Sequence, residues 1–233
     1  MGLLLMLATI LGVIGAAVLI IGSSIKQVYA LTKLVFGAVV VWFGLYFALL
    51  LYTSQTSKER TLNFNEPKAF CGFYLDCHLH AAVTDVKQIK TIGDGANQKT
   101  AQGIFYIVTV KVFSDAKRAE LGLVTPRARV IDAEGKGFER ETEAEKVLEI
   151  INSNAVPFDK QLGPRGELFT KEIVFDLPSD VKNPKLDFTQ GHVIDRVIEL
   201  FLIGDEDSLF HKPVRFSLEP QKSFESRVLS GSY

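Results

Sequence analysis

The chain has 233 residues, 26 basic against 27 acidic side chains for a net charge of −1, and 47% hydrophobic content. That length suits one modest domain plus an anchor. No concentrated basic run is present, which excludes a general nucleic-acid binder, since such a protein has to displace counterions from phosphates. The charge is also segregated: before Lys58 the only Asp, Glu, Lys or Arg residues are Lys26 and Lys33.

Met1 to Ile25 carries no charged side chain, and MGLLLMLATILGVIGAAVLII is long enough to cross a bilayer. A cleaved signal peptide would show a basic start, a shorter apolar core and a small-residue cleavage site, so a retained helix at about residues 2–22 is the expectation. The second uncharged run, LVFGAVVVWFGLYFALLLY from Leu34 to Tyr52, would rise roughly 28 Å as a helix, close to the ~30 Å hydrocarbon thickness. SSIKQVYALTK lies between them, so residues 1–52 read as a transmembrane α-hairpin with spans at about 2–22 and 34–52. Gly12, Ala16, Gly37 and Gly44 permit close helix packing.

Lys26 and Lys33 favour a cytoplasmic loop, while Lys58, Arg60 and Lys68 after the second span nearly balance them. The cysteines break the tie. Residues 53–68 read as a juxtamembrane linker, and AFCGFYLDCHLHAAV follows with both cysteines of the chain, Cys71 and Cys77. In an oxidising compartment they would close a small disulfide loop, with Gly72 at its turn. That favours an integral cell-membrane protein with two spans and an extracytoplasmic soluble domain. The alternative is a copper or zinc site built from Cys71, Cys77, His78 and His80, because thiolate and imidazole suit both metals. Strand parity opposes it, since His78 and His80 would project to one face and Cys77 to the other.

From Ala81 the pattern turns to β. AAVTDVKQIKTI reads as a half-buried strand and GDGANQKTAQG as a flexible hairpin connection, lacking the Lys-Ser or Lys-Thr ending of a P-loop. GIFYIVTVKVF, Gly103 to Phe113, is the strongest strand signal and the expected centre of the core. ARVIDAEGKGFER reads as a β-hairpin reversing at Asp132, Glu134 and Gly135. ETEAEKVLEIINSN interrupts the series as a short helix, with Thr142 and Glu145 in a capping-box pattern and Val147, Leu148, Ile150 and Ile151 on its apolar face. LGPRGELFTKEIVFDLPSD supplies a turn and a strand through Phe175, and RVIELFLIG, DEDS and KPVRFSL read as a last β pair. The expectation is a mainly β, antiparallel sandwich with one short helix over residues 69–220, ending in a flexible tail at 221–233.

The segments VTDVKQIKTIGD, GIFYIVTVKVFSDA, ARVIDAEGKGFE and LGPRGELFTKEIVFDLP, in that order, resemble the bacterial domain of unknown function 4352. This resemblance covers roughly Ala81 to Leu218. It implies an exported or membrane-tethered, telokin-like and immunoglobulin-like β-sandwich, and it transfers no catalytic residues. The cysteine segment and the two spans lie outside its pattern.

No catalytic constellation emerges. His78, His80, His192 and His211 show no nucleophile context, so no enzymatic reaction is nominated. Asp205, Glu206 and Asp207 read as an acidic turn, since the fuller EF-hand spacing is absent. Glu139, Glu141, Glu143 and Glu145 read as a solvated helix entrance. The chain thus reads as a nonenzymatic, cofactor-free envelope protein. Its partners would be the lipid bilayer and an envelope protein or peptide, not nucleic acid.

Overall fold

A computed structural model describes residues 2–71, 77–152 and 156–219. The expected tail at 221–233 lies outside the described residues. The chain divides into two units, Met1–Arg60 with Val193–Pro213, and Thr61–His192 with Val214–Tyr233.

In the first unit, helices α1 (Gly2–Ile25) and α2 (Tyr29–Thr56) form an antiparallel pair. Both outrun the expected spans, because the intervening segment is largely helical. The reversal takes only Lys26 to Val28, with Gln27 at φ 57° and the Val28 amide donating to Ser23 at 2.8 Å. The burial pattern of the pair is inverted relative to a water-soluble helix. Thr9 and Ser23 are the buried residues of α1, and Tyr46, Leu50 and Ser54 those of α2, while Leu, Val, Ile and Phe side chains point outward along both. Each inward polar group is bonded. Trp42 Nε1 donates to Thr9 Oγ1 at 3.1 Å, and the Ser23 and Thr32 hydroxyls lie 2.7 Å apart.

The second unit is built on two sheets. One has the order β2 (Lys68–Phe70), β3 (Leu79–Ile92), β4 (Lys99–Ser114), β7 (Leu168–Leu177); the other runs β1 (Arg60–Leu62), β9 (Val214–Ser217), β8 (Lys185–Thr189), β5 (Arg127–Ile131), β6 (Gly137–Phe138). They face each other across one core. Val83, Val108, Val110, Ile173 and Phe175 come from the first sheet, and Val130, Leu186, Phe188 and Phe216 from the second. Phe188 packs edge-on against Phe70 with ring centroids 5.6 Å apart. Gly103 is required where β4 meets the end of β7, since a Cβ there would lie 1.9 Å from the Leu177 carbonyl oxygen.

β4 is central, as its apolar content on both parities demands. Tyr106, Val108, Val110 and Val112 enter the main core, while Phe105 and Ile107 face a second cluster with Ile92, Val174 and the helix residues Ala144 and Val147. That helix, α3 (Thr142–Asn152), therefore covers the outer face of the first sheet.

Several expectations are corrected. RVIELFLIG is not a strand: α4 spans Val193–Glu199, and β9 pairs instead with β8, which the sequence did not announce. Residues 53–68 are not merely a linker, since they end α2 and supply β1 and the start of β2. With α1 to α4 counted, helix slightly outweighs strand among the described residues, so these are not mainly β. On α3, Ile150 and Ile151 are exposed rather than part of the packed face.

Candidate functional site

The cysteine and histidine residues singled out by the sequence gather at one end of the first sheet. Cys71 follows β2 and Cys77 precedes β3, and the two are disulfide-bonded with Cα atoms 3.9 Å apart. β3 then pairs with β4 so that Leu79 faces Ser114 and His80 faces Phe113. This register carries Asp115, just past β4, to His78. The Asp115 amide donates to the His78 carbonyl at 3.0 Å, and its Oδ1 lies 2.6 Å from His78 Nδ1. His80 Nε2 is 3.5 Å from the other carboxylate oxygen, and its ring stacks on Phe113 with centroids 5.0 Å apart. One carboxylate thus bridges two imidazoles. The hydrogen bond from His78 is the main cause holding the Asp115 carboxyl below its ordinary range, with the His80 charge adding to it.

Asp115 was not a sequence candidate. It stands 37 residues from His78, and only the strand register brings the two together. The metal alternative loses two of its four ligands here: sulfurs joined in a disulfide are not thiolates, and thiolate is the ligating form. Among the described residues no group of three or more His, Cys, Asp or Glu side chains is arranged to hold a metal ion. His211 Nδ1 lies 3.0 Å from the Lys212 carbonyl oxygen, a local contact outside this cluster.

A second polar feature is a cleft of about 350 Å³ between α3 and the first sheet, lined by Thr109, Glu145, Glu149, Asn152, Lys171 and Glu172 among others. Its charges already satisfy one another. Lys171 Nζ donates to Glu149 at 2.5 Å, and Asn152 Nδ2 to Glu172 at 2.6 Å. Glu145, nearly inaccessible, accepts both guanidinium bonds from Arg140 and the Val174 amide at 3.1 Å. The Thr142 and Glu145 capping box is therefore not formed: the Glu145 carboxylate is drawn to Arg140 and the sheet instead of to the helix entrance. The charged groups of the cleft thus form an ion network that ties α3 to the first sheet.

No family model and no curated protein matches the chain. Crystal structures similar to it include a secreted protein from Mycobacterium tuberculosis, with 12% identity over 70% of this chain and 99% of that one at a TM-score of 0.40. Another is a conserved hypothetical protein from Bacillus anthracis, with 14% identity over 53% of this chain and 90% of that one, TM-score 0.39. A third is an uncharacterised β-sandwich protein from Clostridium difficile, with 13% identity over 70% and 96% of the two chains, TM-score 0.37.

Proposed function

We propose that this is a membrane-anchored, nonenzymatic cell-envelope protein whose β-sandwich binds a protein, peptide or other envelope ligand on the extracytoplasmic side. The sandwich is read as immunoglobulin-like and akin to domain of unknown function 4352.

The observation that carries this reading is the inverted burial of α1 and α2. A core helix of a soluble protein hides its leucines and exposes its hydroxyls; here Thr9, Ser23, Tyr46 and Ser54 are turned inward and, Leu50 apart, the large apolar side chains point outward. That arrangement is costly in water and natural in lipid, where polar groups must find partners inside the protein. The Thr9–Trp42 and Ser23–Thr32 bonds also make α1 a partner of α2, which supports retention of the first helix over its removal as a signal. The disulfide, which persists in oxidising compartments, supports the outward orientation.

Alkaline extraction of membranes with intact-mass measurement tests the anchor. The protein is expected in the pellet at the mass of a chain retaining α1. Release into the supernatant, or a mature start beyond Ile25, overturns it.

A further inference from the structure

Between β8 and β9 the chain leaves the sandwich unit for Val193–Pro213, which packs within the unit of α1 and α2. This insert is tied along the final turns of α2. The Tyr46 hydroxyl donates to the Phe201 carbonyl at 2.6 Å, the Ser54 and Ser208 hydroxyls lie 3.4 Å apart, and the Lys212 amide donates to Ser57 Oγ at 2.9 Å. The start of α1 meets it as well: a Cβ at Gly2 would lie 2.5 Å from the Ile203 carbonyl oxygen.

The insert exposes large apolar side chains while drawing in several charged ones, with Asp207 and Lys212 left exposed. Ile194 is 72% exposed, Val197 51%, Phe201 41% and Phe210 68%, whereas Asp195, Arg196 and Glu199 are half-buried. Ile194, Val197 and Phe201 follow the spacing of one helical face, continued past α4 by the Leu200 amide bonding to Arg196. Several of its main-chain groups are bonded within the unit. The Phe201 amide donates to Ile198, the Leu202 amide to Glu199 and the Leu209 amide to Leu200, while Tyr46 serves the Phe201 carbonyl. Internal satisfaction of this kind is what non-spanning backbone at membrane depth requires.

Resting on the two-span reading, we propose that Val193–Pro213 is a membrane-interface element, whose apolar side, Ile194, Val197, Phe201 and Phe210, enters the headgroup and acyl boundary of the bilayer that α1 and α2 cross. Depth argues for lipid over a soluble partner. Tyr46 precedes Tyr52, the end of the apolar run, by about 9 Å along the helix axis, so the Phe201 main chain is anchored below the level where the span ends. The insert is also held at the membrane helices by main-chain contacts, Gly2 against Ile203 and the Tyr46 hydroxyl against the Phe201 carbonyl. Apolar burial at the interface is the driving force for helices that lie in the membrane plane.

The test uses the full chain in phosphatidylcholine and phosphatidylglycerol vesicles, with nitrobenzoxadiazole attached at Ile194→Cys, Val197→Cys or Phe210→Cys in turn. The native cysteines are disulfide-bonded and do not take the label. Labels at Ile150→Cys on α3 and Val40→Cys on α2, both exposed, are the references. Expected are blue-shifted emission, quenching by shallow doxyl phospholipid, and iodide quenching about twofold or more weaker than at Ile150. Insert labels as open to iodide as Ile150, with Val40 quenched by deep doxyl lipid, overturn this inference and leave the spans standing. If Val40 is itself open to iodide, both readings fall. Labels shielded from iodide and lipid quencher alike show protein covering this face, which also overturns the inference.

Discussion

Tyr46 and Phe201 stand 155 positions apart in the chain, yet the phenolic hydrogen of one is donated to the main-chain carbonyl of the other at 2.6 Å. The tyrosine is buried, as are Leu50 and Ser54 further along the same helix, and a buried hydroxyl needs a partner. Tyr46→Phe keeps the ring and removes only the donor. The expected cost is about 1 kcal/mol, which would speed amide hydrogen exchange in the 200–204 segment roughly fivefold while leaving β3 and β4 unchanged. Equal acceleration throughout the sandwich would contradict a local role.

Glu199 gives the same insert a pH dependence. Burial chiefly, then the charges of Asp207, Asp205 and Asp195, push its carboxyl up to about 7, against the opposing effect of Arg196. Its Oε2 and Arg196 Nη2 are buried without hydrogen-bond partners among the described residues. Because the folded value lies above the unfolded one, the native insert retains a proton that the unfolded insert releases. Its stability is full below the ordinary glutamate range and declines as pH rises through about 7. Hydrogen exchange of residues 193–213, corrected for intrinsic rates, should show more protection at pH 6 than at pH 8, and Glu199→Gln should flatten the difference.

Asp115 has the opposite sign. The His78 hydrogen bond depresses its carboxyl, so its contribution is present above the unfolded carboxylate range and is lost as pH falls through the depressed value. Asp115→Asn should remove this acid-side dependence and loosen the β3 entry at His78. Histidine side-chain NMR reads it: the His78 and His80 resonances should both move in the variant, and a change confined to one would deny the bridge.

The disulfide between Cys71 and Cys77 closes a short loop, which places its stabilisation near the low end of the usual range, about 2 kcal/mol. Reduction should expose both thiols while β4, Phe175 and Phe188 keep the core folded. In intact cells the thiols should label only after reduction, without permeabilising the inner membrane. Labelling without reductant denies the bond, and a need for permeabilisation denies the outward orientation.

Legibility in the sequence followed the strength of local periodicity. The two apolar runs, the strand at Gly103 to Phe113 and the hairpin around Gly135 could be read because each carries its own signal. RVIELFLIG was misread as β because its isoleucine, leucine and phenylalanine content suits strands; its exposed apolar face makes sense only beside α2, a long-range fact. The cluster at His78 was half legible. Its histidines and cysteines stood out, but Asp115 did not, because β-bulges between Val83 and Asp85 and between Ile89 and Thr91 shift the β3–β4 register by amounts no alternation pattern reveals. Glu145 was legible as a helix-entrance acid, but not as Arg140's buried partner.

That pair sets the strongest stability prediction in the sandwich. Glu145 is nearly inaccessible, and the Arg140 guanidinium, itself over the Phe158 ring at 5.2 Å, donates two bonds to it. Removing one partner of a buried ion pair strands the other's charge, whereas replacing both removes the problem. Arg140→Ala should therefore destabilise the sandwich by about 3 kcal/mol, the low end for such a loss because the Val174 amide still serves Glu145. Lys146→Ala, which breaks an exposed, solvent-screened pair with Glu143, should leave stability nearly unchanged. Arg140→Met combined with Glu145→Leu should recover most of the loss. Urea unfolding of the full chain in detergent, followed by the β-sheet circular-dichroism signal, measures all three. Equal effects for Arg140→Ala and Lys146→Ala would show that Glu145 is solvated, and that the link it makes between α3 and β7 is not a buried one.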